Sequence, residues 1–190
     1  MDFLPEQEIA DLLEELSVTH HADGDACIYL KVDPSFAAIT NCFCNESNPC
    51  KSDSGTFCLD LTSGQMVETL VRVIRKIHDG NSLLVPVGKW RSVFDAVAFS
   101  MAGNDVWQEF DASATIKLNT RDPLLFETGD EQILIDLITA LMNDSETPEQ
   151  GVFLIPVGAP MLVHIQPGGP VKLWFGNSVL ADEVREAYAG

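Results

Sequence analysis

The chain has 190 residues, 46% of them hydrophobic, and its 29 acidic against 11 basic side chains give a net charge of −18. Such a field repels nucleic acid and anionic membranes, which are bound through basic footprints, so both are excluded as partners. It suits basic proteins and cations, with plain solubility as the alternative reason for the acidity.

The length supports one well-buried domain over residues 1–190, and no apolar run approaches the roughly 20 residues that span a bilayer. The first basic residue is Lys31, and eight carboxylates precede it. An opening without basic charges or a continuous apolar core is unlike a secretory leader, so a cytoplasmic chain is expected.

The first element expected is a helix over residues 3–16. Pro5 suits its first turn, Glu6 and Glu8 its positive end, and Ile9, Leu12, Leu13 and Leu16 form one stripe. A polar stretch, SVTHHADGD, reads as a loop, followed by a strand over Ala26–Val32. Residues 33–55 look irregular, with a short strand near Phe36–Thr40, and Thr56–Leu61 forms a second strand.

The middle of the chain is then written twice. QMVETLVRVIRKI, a polar loop and LLVPVG from Gln65 correspond to QILIDLITALM, a polar loop and VFLIPVG from Gln132. The periodicity predicts helices over Gln65–His78, capped by Thr62 or Ser63, and over Glu131–Met142. Each helix is followed by an apolar strand, Ser82–Val87 and Val152–Val157.

Pro86 and Pro156 cannot donate to a ladder and belong at strand ends, with Gly88 and Gly158 turning the chain. Beyond these corners the first copy is expected to form strands over Arg91–Ser100 and Asp105–Phe110. The second is expected to form strands over Met161–Gln166 and Val171–Phe175, turned by Pro167-Gly168-Gly169-Pro170. Trp107 and Trp174 then occupy matched positions. Ser113–Asn119 alternates like a half-exposed strand and Leu124–Glu127 matches Thr56–Leu61; a short helix over 178–188 closes the chain.

The expected fold is therefore α+β: two pseudo-symmetric ββαβββ-like halves, approximately 26–110 and 112–176. Each half carries one helix, and the mainly antiparallel sheets share one core.

Motifs for chemistry are sparse. Cys42, Cys44, Cys50 and Cys58 cluster in a stretch the second copy lacks, with Cys27 apart. Four thiols have the donor type for zinc, but the spacing departs from the usual paired ligands, so free thiols and disulfides stay open. Cys58 alternates within a strand like a core residue.

His20, His21, His78 and His164 could pair with a cysteine only by fold, and His78 suits the negative end of its helix. Asp23-Gly24-Asp25 lacks the rest of a calcium loop, and Gly88-Lys89 is no phosphate loop. G-x-S-x-G, H-E-x-x-H and G-x-G-x-x-G are absent.

Trp90 and Arg91 follow the first Pro-Val-Gly at an expected exposed corner, as residue types enriched at interface hot spots. With no catalytic signature, the reading leans away from an enzyme. It favours a protein-interaction module of chaperone, inhibitor or immunity type with a basic protein partner. A ligand site or active site at the seam between the copies is the alternative, and zinc on the cysteine loop a third.

Overall fold

A computed structural model describes residues 1–5, 18–23, 27–32, 39–44, 57–60, 63–77, 80–168, 170–175 and 178–188. The expected leading helix falls mostly on residues 6–17, outside these; Asp2–Phe3 form a short strand, β1. Thr62, His78 and Gly24 also lie outside them.

The remaining elements run β2 (Val18–Asp23), β3 (Cys27–Val32), β4 (Ile39–Cys44), β5 (Phe57–Asp60), α1 (Ser63–Ile77) and β6 (Ser82–Pro86). Next come α2 (Trp90–Val97), α3 (Asp105–Ala114), β7 (Leu124–Phe126) and α4 (Glu131–Asp144). The chain closes with β8 (Val152–Pro156), β9 (Met161–Ile165), β10 (Val171–Phe175) and α5 (Ser178–Tyr188).

The class is α+β. Eight strands form one sheet in the order β1-β7-β6-β8-β9-β10-β4-β5, antiparallel throughout except for the parallel pair β4–β5. Strands β2 and β3 form a separate antiparallel ribbon, so the polar stretch around His20 is a strand and not a loop.

The repeated apolar runs become the centre of the sheet. β6 and β8 are buried along their whole length and lie antiparallel with Leu84 opposite Leu154. Leu83 faces Ile155 and Val85 faces Phe153, so equivalent positions of the two runs are exchanged about the leucine pair.

Pro86 and Pro156 end these strands, where a missing N–H costs no ladder bond. The glycines that follow serve different needs. Gly158 adopts φ 86°, open to glycine, whereas a Cβ on Gly88 would lie 2.6 Å from the Glu149 carbonyl oxygen.

One face of the sheet carries the helices. Buried residues of all five described helices join a single core with alternate strand residues: Leu84, Leu154, Val163, Leu173 and Phe175 among them. Helices α1 and α4, the repeated pair, pack together through their stripes; Met66, Leu70 and Ile74 on one and Leu137, Ile138 and Leu141 on the other are buried. The other face has its own smaller core of Leu83, Val85, Val87, Phe153, Ile155 and Leu162.

Strand–helix–strand order is common to β5-α1-β6 and β7-α4-β8. Beyond Pro-Val-Gly the two stretches part. The second makes the expected hairpin β9–β10, but the first makes two helices, so the strands expected over Arg91–Ser100 and Asp105–Phe110 are corrected to α2 and α3. The strand expected over Ser113–Asn119 is the end of α3 and a run of turns.

The physical reason is periodicity. Trp90, Val93, Phe94 and Val97 are buried at helical spacing, and a strand would send Val93 and Phe94 to opposite faces.

Candidate functional site

The departure from the repeat builds the most distinctive surface. In α2, the N–H of Trp90 donates to the Thr120 carbonyl (3.3 Å) and that of Arg91 to the Leu118 carbonyl (2.7 Å), which satisfies the open helix end. The Trp90 indole Nε1 donates to the Asp122 carbonyl (2.7 Å). Its ring is fully enclosed and packs on Phe3 and Phe94, at 5.7 and 6.0 Å between centroids.

The expected exposed corner is thus corrected: the Pro-Val-Gly turn sends Trp90 inward as the first residue of an amphipathic helix. Of the pair singled out from the sequence, Arg91 alone reaches the surface.

Helix α3 starts at Asn104, whose side-chain oxygen accepts the Trp107 N–H (3.0 Å) while its amide donates to Asp136 on α4 (3.1 Å). Trp107 is buried against Phe94 and Phe110. Its expected counterpart, Trp174, lies on the opposite sheet face, half-buried and stacked with His164. The two tryptophans therefore belong to different cores.

With their inner faces filled, α2 and α3 present an unusual outer face. Arg91 and Asp95 are exposed one turn apart on α2, and Phe99, in the turn just beyond it, is 93% exposed. Val106 and Ile116 follow on α3 and just beyond it, at 54% and 84%, among exposed Asp105 and Glu109. Three of the four large exposed hydrophobics among the described residues therefore fall within residues 99–116; Val179 is the other.

The seam between the repeated helices is aliphatic for most of its length but opens at one end into a cleft of about 540 Å³, much of it an open mouth. Val71 and Ile74 of α1, Phe126 of β7 and Leu134 of α4 line its floor. Arg75, Glu127, Thr128 and Glu131 stand around it, and Arg75 is ion-paired with Glu131.

The cysteines are brought together in part. The backbone pairs Cys42 with Cys58 and Cys44 with Asp60 across β4 and β5. Cys50 lies outside the described residues, and Cys27 is in β3 of the separate ribbon. Among the residues whose side chains are described, none form a cluster of three or more metal-ligating groups.

His164, in the middle of β9, stacks on Phe153 at 4.5 Å. Burial, and after it the charge of Lys172 opposite, hold its imidazole down at about pKa 4.

No helix among the described residues is long and apolar enough to cross a membrane. Compared with known protein families, with curated proteins and with solved structures, the chain matches none.

Proposed function

We propose that this protein is a protein-interaction module that docks a basic partner segment on the outer face of α2 and α3. The observation that carries the reading is Phe99, a phenylalanine 93% exposed in the turn between two helices whose inner faces are already filled. Burying such a ring contributes about 1.5–3 kcal/mol, which a partner could recover.

Asp95 on α2 and Asp105 and Glu109 on α3 are exposed carboxylates in a chain of net charge −18, so the complementary surface is a cationic segment with an apolar anchor. Arg91 on the same face would fix register against a carboxylate or carbonyl of that partner.

Part of this reading is that residues 1–190 form one domain in which α1 and α4 with their strands are pseudo-symmetric units. The Leu84–Leu154 pairing supports it. The departure after the first Pro-Val-Gly is then where a docking surface was added to a symmetric scaffold. Nothing in this mode of action calls for a cofactor, and a chaperone, inhibitor or immunity role would each use such a surface.

The test is quantitative capture from the native host by the full chain and by its Phe99→Asp variant. Loss of one identified basic protein from the variant, with unchanged folding, supports the reading. Equal capture by both chains refutes it.

The cleft between α1 and α4 favours a second reading, a small-ligand or enzyme site at the seam. Its apolar floor with an Arg–Glu pair at the mouth suits a small amphipathic molecule. Thr128→Trp, which narrows the mouth, would abolish such binding and leave partner capture intact.

A further inference from the structure

The two copies of the repeated apolar run differ where they begin. Val152 opens β8 and is fully buried in the helix-side core, whereas its counterpart at the start of β6 is Ser82. Ser82 is only 5% exposed and is the one buried polar residue among those described. Alternation along β6 sets it on the face of Leu84, toward the helices, and there it lines the cleft between α1 and α4.

No described residue hydrogen-bonds the Ser82 hydroxyl. A hydroxyl at a core position without a partner is a cost, and a molecule entering the cleft with a polar atom of its own would relieve it. Serine also has less bulk than the valine of the second copy, so the same replacement makes room and supplies a hydrogen-bonding group.

Three charged groups stand at the mouth. Arg75 and Glu131 neutralise one another as an ion pair. Glu127 is the surplus charge. Its side chain accepts the Asp130 N–H in a capping box, which fixes its place, and no described cation pairs with it. Between this carboxylate and Ser82 the walls are apolar, with Val71, Ile74, Leu134 and Ile138 among them. An anion would meet both Glu127 and the field of a chain of net charge −18.

We propose that the seam cleft binds a small amino alcohol. Its ammonium sits at Glu127, its apolar body lies along the walls, and its oxygen takes the inner hydrogen bond with Ser82. Such a few polar groups placed around an apolar lining are what orient a ligand in a cleft. The inference rests on the seam reading given above and names the ligand class for it; it is independent of the docking surface on α2 and α3.

The test is an NMR titration of the full chain at neutral pH, following the amides of Phe126, Thr128 and Leu134. The probe is aminohexanol with its two polar groups at opposite chain ends, and an alkyl ammonium is fully charged under these conditions. Saturable shifts in the millimolar range are expected from a ligand of so few atoms.

Hexanol, which lacks the ammonium, should bind about fivefold more weakly, and Glu127→Gln should remove that difference. Ser82→Ala should weaken aminohexanol by about fivefold and leave hexylamine, which has no oxygen to place, unchanged. Neither variant should disturb folding, since one removes only a hydroxyl and the other alters an exposed side chain.

Hydroxyhexanoate binding as tightly as aminohexanol, or an aminohexanol affinity untouched by Glu127→Gln, overturns the amine assignment and leaves the seam site standing. Equal losses of aminohexanol and hexylamine in Ser82→Ala overturn the inner hydrogen bond. Absence of saturable shifts with every probe overturns this inference and the seam reading together.

Discussion

Acidification should weaken this fold through His164, and the size of the effect follows from its surroundings. The ring lies between Phe153 and Trp174, opposite Lys172, and burial with that charge lowers its pKa from 6.5 to about 4. The unfolded chain takes up the proton as pH falls through 6.5, while the native ring stays neutral down to about 4.

Stability is therefore fully present above pH 6.5 and is lost progressively between 6.5 and 4. At about 1.4 kcal/mol per pH unit, the loss between pH 7.5 and 5 is roughly 2 kcal/mol. Carboxylates titrate in the lower part of this range, so the comparison is with His164→Phe, which keeps a stacking ring and removes the titration. Urea unfolding of both chains at half-unit steps, stopping above the isoelectric point near 4.3, isolates the term. The gap between the chains should move by roughly 2 kcal/mol in favour of the variant. A gap constant across this range, or a native-state NMR titration of His164 near 6.5, would refute the reasoning.

Other substitutions test the scaffold. Leu154→Ala, at the fully buried centre of the sheet, should cost about 2–5 kcal/mol in denaturant unfolding. Trp90→Phe keeps the aromatic packing but orphans the Asp122 carbonyl, and a cost of about 2 kcal/mol is expected. Gly158→Ala should cost about 1–2 kcal/mol through its positive φ. Gly88→Ala should be worse, because a backbone oxygen, not a movable side chain, blocks the new Cβ. Phe99→Asp should leave stability within about 0.5 kcal/mol of the parent, as for an exposed site.

Much of the architecture was legible because burial imposes a period. The α1 and α4 stripes, the apolar runs of β6 and β8, and the β9–β10 hairpin each follow a pattern that has one structural solution. Beyond the first Pro-Val-Gly the same kind of signal was present, since Trp90, Val93, Phe94 and Val97 are spaced for a helix. Matching Trp107 to Trp174 imposed a strand on it, although Asn104, a good cap three residues ahead, marked a helix start.

Polarity misled at β2, where His20 and His21 sit in a strand paired with β3. The cysteine arrangement was beyond reach of the sequence. Which cysteine positions pair depends on the parallel register of β4 with β5, and spacing along the chain does not encode register.

The central claim is that the face bearing Phe99 receives a cationic partner. Once a captured protein is identified, its affinity for the full chain should be measured against Phe99→Asp and against Asp95→Lys with Glu109→Lys, at low and at physiological salt. The account predicts a loss of about 30-fold or more for Phe99→Asp, as for an interface hot spot, and weaker, less salt-dependent binding for the charge reversal. Unchanged affinity in both variants would contradict it.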